Sequence, residues 1–159
     1  MPDGAAFERF YRENVTRVAR ACALITMDTN LAEDMAAEAF TQLWSHWGQI
    51  SGDDHAGGYV FKTATRLCWR EVRRRGRREE GPPPPEEIHQ VGLDPDLKAA
   101  LQTLSLRQRE AVVLRDWAGF ELAEVATMMR VAPPTARVHL HRGRAALRTL
   151  LGSREDADV

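Results

Sequence analysis

The chain has 159 residues, 43% of them hydrophobic, and a formal net charge of −1. This length fits one ordinary domain or two small ones, and the apolar content excludes a disordered chain. No apolar run approaches the roughly 20 residues that a membrane helix requires, and residues 1–14 lack the features of a signal peptide. We therefore expect a cytoplasmic protein without membrane insertion and with reduced cysteines.

Three helices are predicted in the first half. Apolar side chains recur at helical spacing over residues 7–25 and again from about 31 to 47. Residues 48–58, GQISGDDHAGG, have the composition of a loop. A third helix is predicted to begin near Tyr59, and seven arginines fall within residues 66–78. This basic helix end favours nucleic-acid contact over an ordinary solvated face.

The composition changes abruptly at residues 79–96. This segment holds six acids, no basic residue and four consecutive prolines, which favour extended polyproline geometry. We interpret it as a linker between a first domain at 1–78 and a second at 97–152, with a tail at 153–159.

The most informative stretch is 122–147, LAEVATMMRVAPPTARVHLHRGRAAL. A helix with one apolar face is followed by Pro133-Pro134, which a helix interior excludes. An arginine-rich helix then begins near Thr135. This is the layout of a helix-turn-helix, whose second helix enters the major groove of DNA. From Lys98 to Arg148 nine basic residues stand against four acids, a net charge of +5.

Two short helices are predicted ahead of this motif, at 97–104 and from 107 to about 117. Large apolar side chains on the predicted helices are assigned to the core, and they include Trp44, Leu140, Leu147 and Leu150.

The sequence offers no site for a metal, a cofactor or covalent chemistry. Cys22 and Cys68 lie in apolar patterns without CxxC spacing, which predicts buried thiols. His139 and His141 would point apart on a helix, so they do not form a metal-binding pair. No nucleophile lies beside a suitable base, and we predict that the protein is not an enzyme.

Together the two halves resemble the bacterial sigma factor family, specifically its short extracytoplasmic-function (ECF) group. The resemblance covers residues 5–78 and 97–151. The motifs of the first half are Ala32-Glu33-Asp34, Phe40, Leu43-Trp44 and the helix that ends in the arginine cluster. Those of the second half are Leu104, 109–114, 123–126, 135–137 and 141–147. The resemblance implies an all-α fold in which sigma region 2 and the helix-turn-helix of sigma region 4 are joined by a flexible linker.

Four positions depart from the family pattern. Ala37 stands where glutamine is usual, Arg66 where asparagine is usual, and Ser105 where proline is usual. Arg130 replaces a turn glycine, so the usual geometry would place a non-glycine residue at positive φ, at a cost of roughly 1 kcal/mol. We therefore expect the turn at Arg130 and the proline pair after it to differ most from the family.

The resemblance also assigns sites. It implies that a polar row on the second helix docks on a coiled coil of the polymerase β′ subunit: Asp34, Glu38 and Gln42. It implies that residues of the loop and third helix recognise the −10 promoter element: Trp47, Gln49, His55, Lys62, Arg66, Arg70, Arg73 and Arg74. It implies that residues of the second domain recognise the −35 element: Arg107, Arg109, Pro134, Thr135, Arg137, Val138, His141, Arg142 and Arg144. Among these, Arg137 is the best candidate for guanine contact.

The leading hypothesis is an ECF-type sigma factor that binds core RNA polymerase (β′ and β subunits) and promoter DNA, with an anti-sigma factor as an expected partner. One alternative is a stand-alone helix-turn-helix regulator that binds duplex DNA without polymerase. A second is a sigma-like protein-interaction module. The paired domains and the proline-rich linker favour the sigma factor.

Overall fold

The structure, a computed structural model, describes residues 3–50, 52–77 and 94–155. Every regular element among the described residues is a helix and none is a strand, which confirms the all-α prediction. The helices are α1 (Gly4–Thr26), α2 (Thr29–His46), α3 (Asp53–Arg77), α4 (Pro95–Thr103), α5 (Leu106–Val112), α6 (Leu122–Met129) and α7 (Pro133–Glu155). Most of the predicted linker and the end of the predicted tail lie outside the described residues. None of the described helices is both long and apolar enough to span a bilayer.

Helices α1 to α3 form the first domain, and side-chain caps fix where α1 and α2 begin. The Asp3 carboxylate accepts hydrogen bonds from the first amides of α1. Asp28 does the same for the Leu31 amide at 3.1 Å and starts α2 after a left-handed residue at Met27. Cys22 and Cys68 are both buried in this core, as the sequence predicts.

Helix α3 is longer than the sequence predicts. The predicted loop at 48–58 reduces to a 3₁₀ turn at Trp47–Gln49 and a short bend at Gly52, where φ is +89°. The helix then begins at Asp53 and runs through Gly57 and Gly58. Glycine has a low helix propensity, so this stretch has the composition of a loop although it is helical.

Helices α4 to α7 form the second domain around the helix-turn-helix. Ser105 and Gln108 make reciprocal side-chain-to-backbone hydrogen bonds that start α5. Arg130 ends α6 in the left-handed conformation with φ 56°. The amide of Val131 donates to the Ala126 carbonyl at 3.0 Å, which completes a Schellman turn. Arg130 therefore has the positive φ that was expected if the usual turn geometry holds, although it is not a glycine.

The proline pair is accommodated in the first turn of α7, which begins at Pro133 rather than near Thr135. Neither proline breaks the helix, because the first residues of a helix have no intrahelical partner for their amides.

Two of the predicted core residues are partly exposed. Trp44 has 40% of its surface exposed and packs edge-on against Phe7, with ring centroids 4.9 Å apart. Leu150 is 39% exposed, because α7 extends beyond the helices that pack against it. Leu140 is buried and Leu147 packs against the core, as predicted.

The two domains pack against each other, and we call this packing the closed arrangement. The Arg109 Nε donates to the Ile25 carbonyl of α1 at 2.6 Å, and Arg17 of α1 donates to the Ala118 carbonyl. Phe61 of α3 meets Phe120 edge-on, with ring centroids 4.9 Å apart. The Arg17 guanidinium lies over both of these rings.

Gly143 allows α7 to approach α5 closely. A Cβ atom at this position would lie 2.7 Å from Val112 Cγ2 and 3.2 Å from the Gln108 carbonyl oxygen. We expect Gly143→Ala to lower the unfolding free energy of the second domain by about 1–3 kcal/mol, the usual range for overpacking. Urea unfolding followed by far-ultraviolet circular dichroism measures this. Gly152→Ala is the matched control, since its Cβ would meet nothing within 4 Å. Equal stabilities for the two variants would contradict the close approach.

Candidate promoter and polymerase interfaces

Helix α7 presents one face to solvent along its first three turns. The residues on this face are Pro134, Thr135, Arg137, Val138, His141 and Arg142, and all are exposed. Ala136, Leu140 and Gly143 lie on the opposite, buried face. The helix-turn-helix therefore fixes α7 by its inner side and leaves free the side that reads DNA in this motif.

The cations of α7 differ in their partners. Arg137 and Arg142 have no acidic partner among the described residues. Arg144 instead holds Asp116 in a two-point contact, at 2.9 Å from Nε and 2.5 Å from a terminal nitrogen. This hydrogen bonding raises the pKa of Arg144. The contact with Asp116 occupies two of the five N–H donors of this guanidinium and neutralises its charge, so Arg144 attracts a DNA phosphate less strongly than Arg137 or Arg142.

The basic end of α3 is organised by ion pairs. Arg74 contacts Glu71 at 2.5 Å, and Arg75 contacts the buried Asp28 carboxylate at 2.7 Å. The arginine contacts lower the pKa of Glu71. Arg73 lies over the Trp69 ring, 4.6 Å from its centroid, and Arg70 is exposed. Neither Arg70 nor Arg73 pairs with an acid among the described residues, so both guanidiniums are available to an anionic strand.

The closed arrangement covers another part of α3. Arg107 of α5 lies over Trp69, 4.5 Å from the ring centroid, and donates to the Met129 carbonyl at 2.8 Å. Arg66 faces α6, and burial together with the nearby Arg130 lowers its pKa. Lys62 lines a recess between α3 and α6.

Arg109 is placed differently from its predicted contact with the DNA backbone. It is buried, and its guanidinium donates to the carbonyls of Ile25, Leu101 and Leu104. In the closed arrangement it has no access to DNA. Burial lowers its pKa, and the neighbouring Glu110 opposes that shift.

The polar row on α2 is exposed on the side away from the core. Asp34 and Glu38 are exposed, and the half-buried Gln42 donates to the Glu38 carboxylate at 3.1 Å. Two unpaired carboxylates one helical turn apart repel each other unless a basic partner covers them.

The candidate residues at 47–55 differ in their exposure. Trp47 packs on Phe7 and Phe10, with ring centroids 5.3 and 5.7 Å away, whereas Gln49 and His55 are exposed. The Tyr59 hydroxyl lies 3.1 Å from His46 Nδ1. Across the described residues, no group of three His, Cys, Asp or Glu side chains is placed to hold a metal ion.

Both halves of the chain match models of known protein families. Residues 10–78 match the model of Sigma-70 region 2, and residues 96–147 match that of Sigma-70, region 4. The first match covers most of α1 to α3, and the second covers most of α4 to α7.

The chain belongs to the extracytoplasmic-function sigma factor family.

Curated relatives support this assignment along nearly the whole chain. The ECF RNA polymerase sigma factor SigE of Mycolicibacterium smegmatis is 30% identical over 92% of this chain, which spans 62% of SigE. The RNA polymerase sigma factor CarQ of Myxococcus xanthus is 29% identical over 96% of this chain and 94% of its own length. A co-crystal structure of the sigma factor RpoE with the anti-sigma factor NepR from Bartonella quintana has the same fold, with a TM-score of 0.75. It is 21% identical, and the match covers 92% of this chain and 97% of that one.

Several important residues of this sigma factor gave no clear signal in the sequence. Arg17 lies off the apolar stripe of α1, yet it binds the second domain. Phe61 and Phe120 look like ordinary core residues, yet they meet across the two domains. Glu110 alone had a usable signal, because it is a single acid directly before the apolar run 111–114.

Glu110 is fully buried in region 4. Its Oε2 accepts from Arg107 at 3.0 Å, and its Oε1 has no hydrogen-bond partner in the structure. Burial raises the pKa of Glu110 to about 7, and the attraction of Arg107 only partly offsets this rise. The carboxyl group therefore holds a proton in the folded sigma factor at pH values where a solvated glutamate has lost it.

This proton makes stability depend on pH. Between the ordinary pKa of 4.5 and about 7, the folded chain binds a proton that the unfolded chain has released, so the unfolding free energy falls as pH rises. The full effect is on the order of 3 kcal/mol. We expect Glu110→Gln to remove this fall, as measured by urea unfolding from about pH 5 to about pH 8. Glu124→Gln, on the exposed side of α6, should retain it. If the unfolding free energy of Glu110→Gln falls with pH as much as that of the wild type, the fall does not come from the raised pKa of Glu110.

Proposed function

We propose that this chain binds core RNA polymerase and directs it to promoters. Region 2 recognises the −10 element through α3 and the preceding turn, and region 4 recognises the −35 element through α7. The observation that carries this proposal is the pairing of an exposed α7 recognition face with a basic α3 in two domains that match Sigma-70 regions 4 and 2. The chain acts where polymerase and chromosome are found, in the cytoplasm, and contributes no covalent chemistry.

The α7 face suits base recognition near its N-terminus. Arg137 is exposed and has no acidic partner among the described residues, and a guanidinium can donate two hydrogen bonds to guanine O6 and N7. Arg142 lies further along the same face, where it can hold a phosphate. Phosphate contacts fix the position of the protein on DNA, and base contacts supply specificity.

The exposed row Asp34, Glu38 and Gln42 is the proposed polymerase-docking surface. Its two carboxylates lack basic partners among the described residues, so a cationic helix surface of the polymerase would relieve their repulsion.

Promoter engagement requires the closed arrangement to open. Arg66 and Trp69 of α3 face region 4, and Arg109 is bonded to the end of α1. Separation of the two regions exposes the −10 side of α3 and the Arg109 guanidinium together. The −35 face of α7 is exposed in either arrangement.

An anti-sigma factor is a further proposed partner of this chain. The Bartonella RpoE structure that shares this fold is a complex with an anti-sigma factor. An anti-sigma factor that binds this chain would hold it away from polymerase. A stand-alone helix-turn-helix regulator is less well supported, since such a protein has no need of region 2.

The decisive experiment maps transcript starts after the protein is mixed with core polymerase and genomic DNA. Arg137→Ala should weaken preference for the −35 sequence by about 1–3 kcal/mol, the range for one bidentate base contact. Arg148→Ala, an arginine further along α7, is the matched control. If the transcript starts are the same with and without the protein, the proposed function is wrong. If starts depend on the protein but not on Arg137, only the register of the recognition helix is wrong.

Opening can be tested at the aromatic contact between regions 2 and 4. Phe120→Ala removes the edge-on pair with Phe61, and such pairs contribute about 0.5–1.5 kcal/mol. We expect the open population to rise by roughly two- to tenfold and the radius of gyration from small-angle scattering to increase. Tyr11→Ala is the control, since Tyr11 contacts Phe7 and Phe40 instead. An unchanged radius together with unchanged binding of −10 single-stranded DNA would show that this contact does not limit opening.

A further inference from the structure

A cavity of about 400 Å³ lies at the junction of regions 2 and 4. Its α3 wall includes Arg66, Trp69 and Arg70. Its region 4 wall includes Arg107, Glu110 and Arg130. Neither region forms this cavity alone, so it exists only in the closed arrangement.

The cavity has an excess of positive charge. Four guanidiniums line it against a single carboxyl group, and that carboxyl already accepts a hydrogen bond from Arg107 at 3.0 Å. Arg66, Arg70 and Arg130 have no acidic partner within the part of the chain that the structure describes. Closing the two regions therefore brings like charges together, which is unfavourable unless an anion enters between them.

Two buried polar atoms in the cavity wall also lack partners. The Arg66 Nε is inaccessible to solvent and donates to no acceptor, and the Oε1 of the fully buried Glu110 is likewise unpaired. Buried polar atoms in native structures are rarely left without hydrogen bonds. One of these atoms is a donor, and the other belongs to a carboxyl group that can donate when protonated.

We propose that this cavity is a binding site for a small phosphate-bearing anion. A phosphate group offers several acceptor oxygens, which suit Arg66, Arg70 and Arg130, and arginine is the preferred side chain for such charge-assisted contacts. The Trp69 ring and Met128 form apolar wall beside the cations, so a group attached to the phosphate would have a surface to pack on.

Such a ligand would stabilise the closed arrangement, because both regions contribute to its site. A ligand that binds one state only shifts the equilibrium towards that state by mass action. The effect on transcription rests on the proposed function, whereas binding and closure do not. The ligand would then reduce the availability of α3 and Arg109 to promoter DNA.

Isothermal titration calorimetry of the full chain with inorganic phosphate tests the proposal, with chloride at matched ionic strength as the reference. Arg130→Gly is the informative variant. It removes one guanidinium, and glycine adopts the positive φ at this position without strain, so the variant should fold. We expect saturable phosphate binding by wild type, at least tenfold weaker binding by Arg130→Gly, and substantial recovery in Arg130→Lys. Arg148→Gln removes a remote charge and should bind within twofold of wild type.

Two further measurements identify the class of ligand and test whether the ligand closes the two regions. Adenosine and guanosine 5′-monophosphates are compared with inorganic phosphate. Tighter nucleotide binding that is lost in Trp69→Leu assigns a nucleotide, and equal affinities assign the phosphate group alone. Scattering with saturating phosphate should show a smaller radius of gyration for wild type but not for Arg130→Gly. Absence of saturable binding to all three probes, or equal weakening in Arg130→Gly and Arg148→Gln, would overturn the proposal even if the protein directs transcription.

Discussion

The arrangement of the whole molecule depends on one buried guanidinium, that of Arg109. Its donors reach the Ile25 carbonyl at the end of α1 and the Leu101 and Leu104 carbonyls at the end of α4. Carbonyls in the last turn of a helix lack intrahelical partners and carry partial negative charge, so they can compensate a buried cation. A single side chain thereby satisfies orphan backbone groups in both regions. Removal of Arg109 would leave buried acceptors unpaired on each side of the junction.

The two helices proposed to read DNA are held in different ways. Helix α7 is fixed within region 4 and its outer face is exposed, whereas α3 lies partly beneath α5 and α6. Under the proposed function, recognition of the −35 element requires no rearrangement, and recognition of the −10 element does. The proposal therefore implies an order of engagement, in which duplex contact by region 4 precedes exposure of region 2.

The sequence was sufficient to predict local structure and the family, and insufficient to predict how the regions pack. Apolar spacing located α1, α2 and α6, and the proline pair located the start of α7 to within two residues. The start of α3 was missed because Gly57 and Gly58 resemble loop residues. Arg130 was recognised as a position of positive φ, yet a turn glycine is not essential where two backbone hydrogen bonds hold the conformation. For the candidate sites too, the sequence predicts what depends on local structure and does not predict what depends on packing between the regions. Exposure of the α7 face follows from helical periodicity, whereas the burial of Arg109 depends on an acceptor 84 residues away in the chain, which leaves no periodic signal.

The π-helical turn at Val113–Trp117 leads from α5 to the junction of the two regions. A π-helical turn accommodates one residue more than an α-helix would over the same span. Removal of one residue from such a turn returns the span to α-geometry and leaves the helix before it in register with the residues after it. The same deletion within a regular α-helix would rotate the two sides by about 100° relative to each other. Phe120 follows this turn and meets Phe61, so the turn is a point where the chain can change in length without displacing that contact.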